Sequence, residues 1–135
     1  MGGTRMKTVL VGGVFNIIHP GHIYFLKKAK SFGKKLVVVL ATDEKARQKT
    51  FFVPAKERRR VLESISFVDK VVVGDEENLF KIVLQEKPDI IVLGYDQDEE
   101  WLKKEIEKRG LKIKIKRLNR YGTYSTSFLH PKRFL

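Results

Sequence analysis

The run Leu36-Val37-Val38-Val39-Leu40-Ala41 constrains the fold more than any other stretch, because its six residues are all apolar. A strand with one wet face alternates apolar and polar residues, whereas an uninterrupted run must be covered on both faces. It is far shorter than the ~20 residues a membrane-spanning helix needs. Covering both faces of a strand takes helices on both sides, carried by crossover connections between parallel strands. The remaining sequence supplies them. Thr8–Phe15, Lys70–Val73 and Asp89–Leu93 read as further strands. Leu111–Leu118 alternates, with Leu111, Ile113 and Ile115 on one side and lysines on the other, as expected of a protected edge strand. Helical periodicity marks Gly21–Phe32 (inner stripe Ile23, Phe25, Leu26, Ala29; stop at Gly33) and Ala55–Ser66, led by Pro54, with Val61, Leu62 and Ile65 inward. It also marks Glu76–Glu86, with acidic residues in its first turn, and Glu99–Arg109, capped by Gly110. Thr42–Val53 reads as a basic loop. Five strands alternating with four helices predict a Rossmann-like, doubly wound, mostly parallel α/β sheet in a single domain over 1–135. Met6 offers a second start, so residues 1–5 of that span are expected to be disordered or to precede the native sequence.

Charge narrows the partners. Lys and Arg number 28 against 16 Asp and Glu, a net +12, which attracts nucleic acid, an acidic membrane or phosphorylated small molecules. The absence of cysteine excludes disulfide scaffolds, thiolate zinc sites and thiol nucleophiles. With no apolar run long enough for a bilayer and no secretory leader, a cytoplasmic protein without a membrane partner is expected. Nucleic acid is not expected either. Phe15, Phe25, Phe32 and Phe67 fall at core spacing, and no stacking platform or basic helix-turn-helix pattern is present. Phe51-Phe52 are the exception: they could stack on a flat ring such as isoalloxazine or pack against a partner subunit.

In open α/β sheets ligands bind beyond the carboxyl ends of the strands, which selects loops 14–22, 42–54, 74–77, 94–98 and 118–128. The first runs Gly12-Gly13-Val14-Phe15-Asn16-Ile17-Ile18-His19-Pro20-Gly21-His22 and matches neither the dinucleotide nor the P-loop glycine pattern. It places two of the chain's three histidines around Pro-Gly at a helix start. Such a terminus offers backbone N–H groups and partial positive charge to a phosphate. Pro20 loses no donor there, Gly21 has no Cβ to hinder approach, and His19 and His22 can add imidazole N–H donors.

The run GGVFNIIHPGH resembles the GTFD-x-x-H-x-G-H opening of the nucleotidyltransferase superfamily, in its cytidylyltransferase-like branch. Asn16 stands where that branch usually has Asp. Arg120-Tyr121-Gly122-Thr123-Tyr124-Ser125-Thr126-Ser127 resembles its R-T-E-G-I-S-T-S element. The resemblance implies that His19 and His22 bind the nucleotide phosphates and stabilise the phosphorus centre during transfer. It implies that Arg120, Tyr124, Ser125, Thr126 and Ser127 line the triphosphate site at a final helix start. Among the basic residues Lys45, Arg47 and Lys49 and the stretch 54–60, Lys49 and Arg58 match the family's phosphate-contacting cations. Gly13, Val14, Phe15, Asn16 and Gly21 complete the nucleotide-binding set. Gly94-Tyr95-Asp96-Gln97 looks most like the archaeal FAD synthases of this branch, with Gly94 and Asp96 toward base or ribose.

The implied reaction transfers AMP from ATP to FMN, giving FAD and pyrophosphate. The alternative is transfer of CMP from CTP to a polyol phosphate such as glycerol 3-phosphate. A weaker alternative is a non-enzymatic nucleic-acid-binding module. A divalent cation, Mg²⁺ by expectation, would be held mainly by substrate phosphates, with no dedicated protein ligands. The family resemblance further implies a homodimer.

Overall fold

In the computed structural model, the described residues are 6–13, 15, 18–47, 53–74, 79–94 and 97–118. The elements are β1 (Thr8–Gly13), α1 (Pro20–Lys30), β2 (Lys35–Leu40), α2 (Asp43–Ala46), α3 (Ala55–Glu63), β3 (Lys70–Val73), α4 (Leu79–Glu86), β4 (Ile90–Leu93), α5 (Glu99–Lys108) and β5 (Lys114–Arg117). The five strands form one sheet in the order β3-β2-β1-β4-β5, and every neighbouring pair is parallel. The chain moves outward from β1 in one direction and then, after β3, crosses to β4 and outward in the other. The strand order therefore reverses between β1 and β4, and the crevice above that point is where a ligand is expected.

The uninterrupted run sits where its composition requires. Leu36–Leu40 is buried throughout, between β1 and β3. One face of the sheet, carrying Val9, Val11, Leu36, Val38, Leu40 and Val92, packs on Leu26 and Ala29 of α1 and Leu62 of α3. The opposite face, carrying Leu10, Val39, Ile91 and Leu93, packs on Phe80, Ile82 and Val83 of α4 and Leu102 and Ile106 of α5. The period-two alternation along β1 thus splits its side chains between two cores. β5 lies at the edge with Lys114 and Lys116 exposed and Ile115 facing the second core.

The structure departs from the sequence expectations at several boundaries. β1 ends at Gly13, and Phe15 follows with φ 53°, a left-handed conformation that no strand continues. A Cβ on Gly13 would come within 2.8 Å of the Phe15 ring, so glycine lets that ring fold back into the core. Within the expected loop 42–53 the chain forms the short helix α2. α1 stops at Lys30 on an ordinary right-handed Ser31, so Gly33 is not its cap. Gly33 packs instead: a Cβ there would lie 2.6 Å from the Lys7 carbonyl. Gly110, in contrast, caps α5 with φ 64° as expected. Val61, expected inward, is 46% exposed, while Arg58 takes an inner position of the same helix. The acidic first turn expected for α4 lies outside the described residues.

Candidate active site

α1 begins by an arrangement in which two histidines cap each other. His19 is the N-cap, in extended backbone conformation, and Pro20 is the first helical residue. The Gly21 N–H donates to His19 Nδ1 at 3.0 Å, and the His19 N–H donates to His22 Nδ1 at 3.3 Å. This is the reciprocal geometry of a capping box, built here from imidazoles in place of a hydroxyl and a carboxylate. The rings stack with centroids 3.9 Å apart, and the buried Phe15 ring meets His22 edge-on at 5.3 Å.

The hydrogen bonds assign both tautomers. A nitrogen that accepts from an amide carries no proton, so each Nδ1 is an acceptor and each Nε2 bears the N–H. Burial of the His19 ring, 7% exposed, also holds its pKa below the ordinary value, which keeps it neutral. Beside it lies an open cavity of about 570 Å³ lined by Ile18, His19, Pro20, Ile23 and Tyr24.

This geometry changes one expectation. The first-turn amides are bonded within the chain, Gly21 to the His19 ring and both His22 and Ile23 to the His19 carbonyl. The Gly21, His22 and Ile23 amides are therefore already engaged, His19 Nε2 is itself buried, and the buried Gly21 serves the cap.

Arg58, expected among the phosphate-contacting cations, is placed inside the fold. Its side chain is fully buried, with Nε donating to the Val53 carbonyl at 2.7 Å and Nη2 to Asp43 Oδ1 at 3.1 Å. Asp43 Oδ1 accepts the Ala55 N–H as well, at 2.6 Å. The Ala55 amide holds the Asp43 carboxyl below the usual range; desolvation opposes it, and the Arg58 and Arg47 guanidiniums add to the lowering. These bonds tie Asp43 of α2 to Ala55 and Arg58 of α3 and hold Val53 beside them.

On the far side of the crevice, Gly94 follows β4. The Gln97 carboxamide accepts from the Gly94 N–H at 2.8 Å and donates to the Gly12 carbonyl at 3.2 Å, which ties the carboxyl ends of β4 and β1. Gln97 is a residue that sequence reasoning missed as a site element. Gln97 stood inside the singled-out GYDQ stretch, but only a tertiary contact reveals its partner. Lys49, Val14, Asn16, Asp96, Arg120, Tyr124, Ser125, Thr126, Ser127 and Phe51-Phe52 lie outside the described residues. The structure thus brings His19, Gly21 and His22 together at one end of the β1 crevice, with Gly13 and the buried Phe15 beneath. Gly94 is linked to the Gly12 carbonyl through the Gln97 carboxamide, and Arg58 is set back in the core.

A family model described as cytidylyltransferase-like matches residues 10–130. The chain belongs to the cytidylyltransferase-like family. It is 49% identical over 109 residues to a FAD synthase of Archaeoglobus fulgidus, covering 78% of this chain and 80% of that protein. It is 47% identical over 116 residues to a FAD synthase of Ferroglobus placidus, covering 84% of this chain and 76% of that one. Among solved structures, a Thermoplasma volcanium protein described as a lipopolysaccharide core biosynthesis protein superposes with a TM-score of 0.81 at 41% identity, over 87% of this chain and all of that one. The match spans both end motifs, HPGH and the Arg120–Ser127 stretch. Among the described residues no helix is long and apolar enough to cross a membrane.

Proposed function

We propose that this chain is an FMN adenylyltransferase: it joins the phosphate of FMN to the α-phosphorus of ATP, forming FAD and releasing pyrophosphate. The observation that carries the chemistry is the locked histidine pair. Two imidazoles, stacked at 3.9 Å with each Nδ1 taken by a backbone amide, leave the proton of each ring on Nε2 as a donor for a phosphate oxygen. Relatives named FAD synthase at 40–49% identity supply the substrate class.

The FMN phosphate oxygen is already ionised, so no general base is required. That oxygen attacks the α-phosphorus in line, the bond to the bridging oxygen breaks, and pyrophosphate leaves with the electron pair. Catalysis then rests on positioning and on neutralising charge as it builds. His19 and His22 would donate from Nε2 to the α- and β-phosphate oxygens. Lys49 and Arg120 are proposed as cationic clamps, and Tyr124, Ser125, Thr126 and Ser127 as contacts to the terminal phosphates. Arg58 is proposed to act by holding Asp43 and the Val53 carbonyl together.

Among the described residues no three His, Asp or Glu side chains gather as a metal ligand set. A divalent cation, when bound, would be held mainly by the triphosphate oxygens. A single domain acting as a homodimer in the cytoplasm completes the reading.

The test is a pyrophosphate-release screen with ATP and CTP, each crossed against FMN, glycerol 3-phosphate and phosphocholine. FAD from ATP plus FMN alone is expected. Turnover of CTP with a polyol phosphate would replace the reading with a cytidylyltransferase.

A further inference from the structure

Strands covered on both faces say little about their own register. Leu36–Leu40 is apolar at every position, β3 offers Val71, Val72 and Val73, and β4 is Ile90-Ile91-Val92-Leu93. Their side chains enter the two cores alternately. Val71, Ile90 and Val92 belong to the first, while Val72, Ile91 and Leu93 lie in or against the second. A slip of one residue sends every side chain of a strand to the opposite face. Where one face is wet, such a slip would bury polar residues and is strongly disfavoured. Here it would exchange valine for valine or isoleucine for isoleucine, so the apolar pattern alone does not select one pairing.

The entries to β3 and β4 carry the missing information. Asp69, immediately before β3, donates its N–H to the Leu36 carbonyl at 3.0 Å, and its Oδ2 accepts the Leu36 N–H at 2.7 Å. Asp89, immediately before β4, donates its N–H to the Thr8 carbonyl at 2.8 Å, and its Oδ2 accepts the Thr8 N–H at 2.9 Å. The two closures are alike: one aspartate holds both main-chain polar groups of one residue on the neighbouring strand. In a continuing parallel ladder that N–H would donate to a main-chain carbonyl upstream of the aspartate. The carboxylate replaces that rung and lets the incoming chain turn away from the sheet. The Val68 N–H bonds back to the Ile65 carbonyl at 3.0 Å, and Lys87 takes φ 50° ahead of Pro88. The other pairs are tied differently. β5 alternates, and its Lys114 N–H meets the main-chain carbonyl of Asp89 at 3.0 Å. β2 is tied to β1 through the Lys34 and Lys35 N–H groups, which share the Lys7 carbonyl at 2.9 and 3.2 Å.

We propose that Asp69 and Asp89 are register pins: each carboxylate selects one pairing of two parallel strands that packing leaves nearly degenerate. Displacing β3 or β4 by one residue takes Oδ2 from its amide and leaves a strand N–H without its acceptor, a cost that apolar packing does not supply. Asp69 also receives the Lys30 ammonium, which draws the end of α1 onto the same corner. Asp89 acts where strand order reverses, so the pairing it selects decides where Gly94 stands relative to Gly12, the two ends joined by Gln97. Both pins lie at the amino ends of the strands, away from the crevice, and operate whatever substrate the chain takes.

The experiment is amide NMR with hydrogen exchange on the full chain and on its Asp69→Ala, Asp89→Ala, Asp69→Asn and Asp89→Asn variants. In the unmodified chain the Leu36 and Thr8 amides are expected to exchange as slowly as interior strand amides such as Val38 and Leu10. Each alanine variant is expected to show a second set of amide signals, in β2 and β3 for Asp69 and in β1 and β4 for Asp89. The released amide should exchange about tenfold faster. The asparagine variants keep an acceptor oxygen at the same reach and are expected to keep one set of signals. Loss of the Lys30 ion pair in Asp69→Asn adds little, since a pair this exposed contributes little. A single set of signals in both alanine variants would overturn the proposal, because packing would then set the register unaided. So would asparagine variants as heterogeneous as the alanine ones, or Leu36 and Thr8 amides that exchange as fast as exposed ones in the unmodified chain. Where an alanine variant does not fold, the serine variant at the same position, whose hydroxyl stops one atom short, is read by the same comparison.

Discussion

Replacing His19 separates two jobs that the structure assigns to one ring. In His19→Ala the Gly21 amide loses its acceptor and the stacked partner of His22 disappears. Loss of an N-cap costs about 1 kcal/mol. For 135 residues at about 2.1 cal/mol/K each, the unfolding entropy is about 0.28 kcal/mol/K, so the melting temperature should fall by about 3–4 °C. Turnover should fall much further, by roughly 10²–10³, the cost of one preorganised donor at a charged transition state. His19→Asn is the decisive companion. Asparagine is among the best N-caps, so its side-chain oxygen can take the amide and restore the melting temperature. It has no donor at the Nε2 position, so turnover should stay low. Thermal unfolding by circular dichroism and pyrophosphate release at saturating ATP and FMN measure the two effects. A His19→Asn variant that regains both stability and turnover would refute the reasoning, because the ring would then be a cap and nothing more.

Three further outcomes follow from the geometry. Because burial lowers the His19 pKa, the folded state prefers the neutral ring; this contribution to stability is full above the ordinary value of 6.5 and is lost as pH falls from there through the lowered value, which urea titrations across pH 5–8 should register as a falling midpoint that His19→Asn flattens. Asp43→Ala removes the shared acceptor of the Ala55 amide and the Arg58 guanidinium, and tryptic cleavage after Lys45, Arg47 or Lys49 should quicken about five- to tenfold, with KM for ATP rising more than kcat falls. Gly33→Ala forces a methyl to within 2.6 Å of the Lys7 carbonyl and 2.8 Å of Val9 Cγ2; we expect about 1–3 kcal/mol of destabilisation in chemical denaturation, with turnover intact at 25 °C.

How much of this was legible in the sequence depended on whether the signal was local. The strands and the two-faced burial of Leu36–Leu40 followed from uninterrupted apolar runs, which leave few alternatives. The start of α1 followed from Pro20, and the end of α5 from Gly110. A four-residue helix such as α2 has too few positions to display a period, so it read as loop. Val61 misled because a nine-residue helix with arginines at 58–60 does not reveal which of its residues turns inward. A buried arginine satisfied by Asp43 and the Val53 carbonyl fills the place an apolar residue would signal. The site was legible as a set of residue types but not as a set of bonds. His19 and His22 were visible as a pair, whereas their reciprocal capping, which withdraws the Gly21 amide from any ligand, needed coordinates. Gln97 was silent because its partners, the Gly94 N–H and the Gly12 carbonyl 85 residues away, are main-chain atoms that carry no residue identity.

The manner in which the two imidazoles are oriented has an electrostatic consequence. Many enzymes aim a histidine with a neighbouring carboxylate, and thereby set a negative charge beside the reacting groups. Here the bonds that turn the rings come from the neutral amides of Gly21 and His19. On the proposed reading, a polyanion at this helix start is oriented by groups that carry no formal charge, and its long-range attraction comes from the net +12 of the chain.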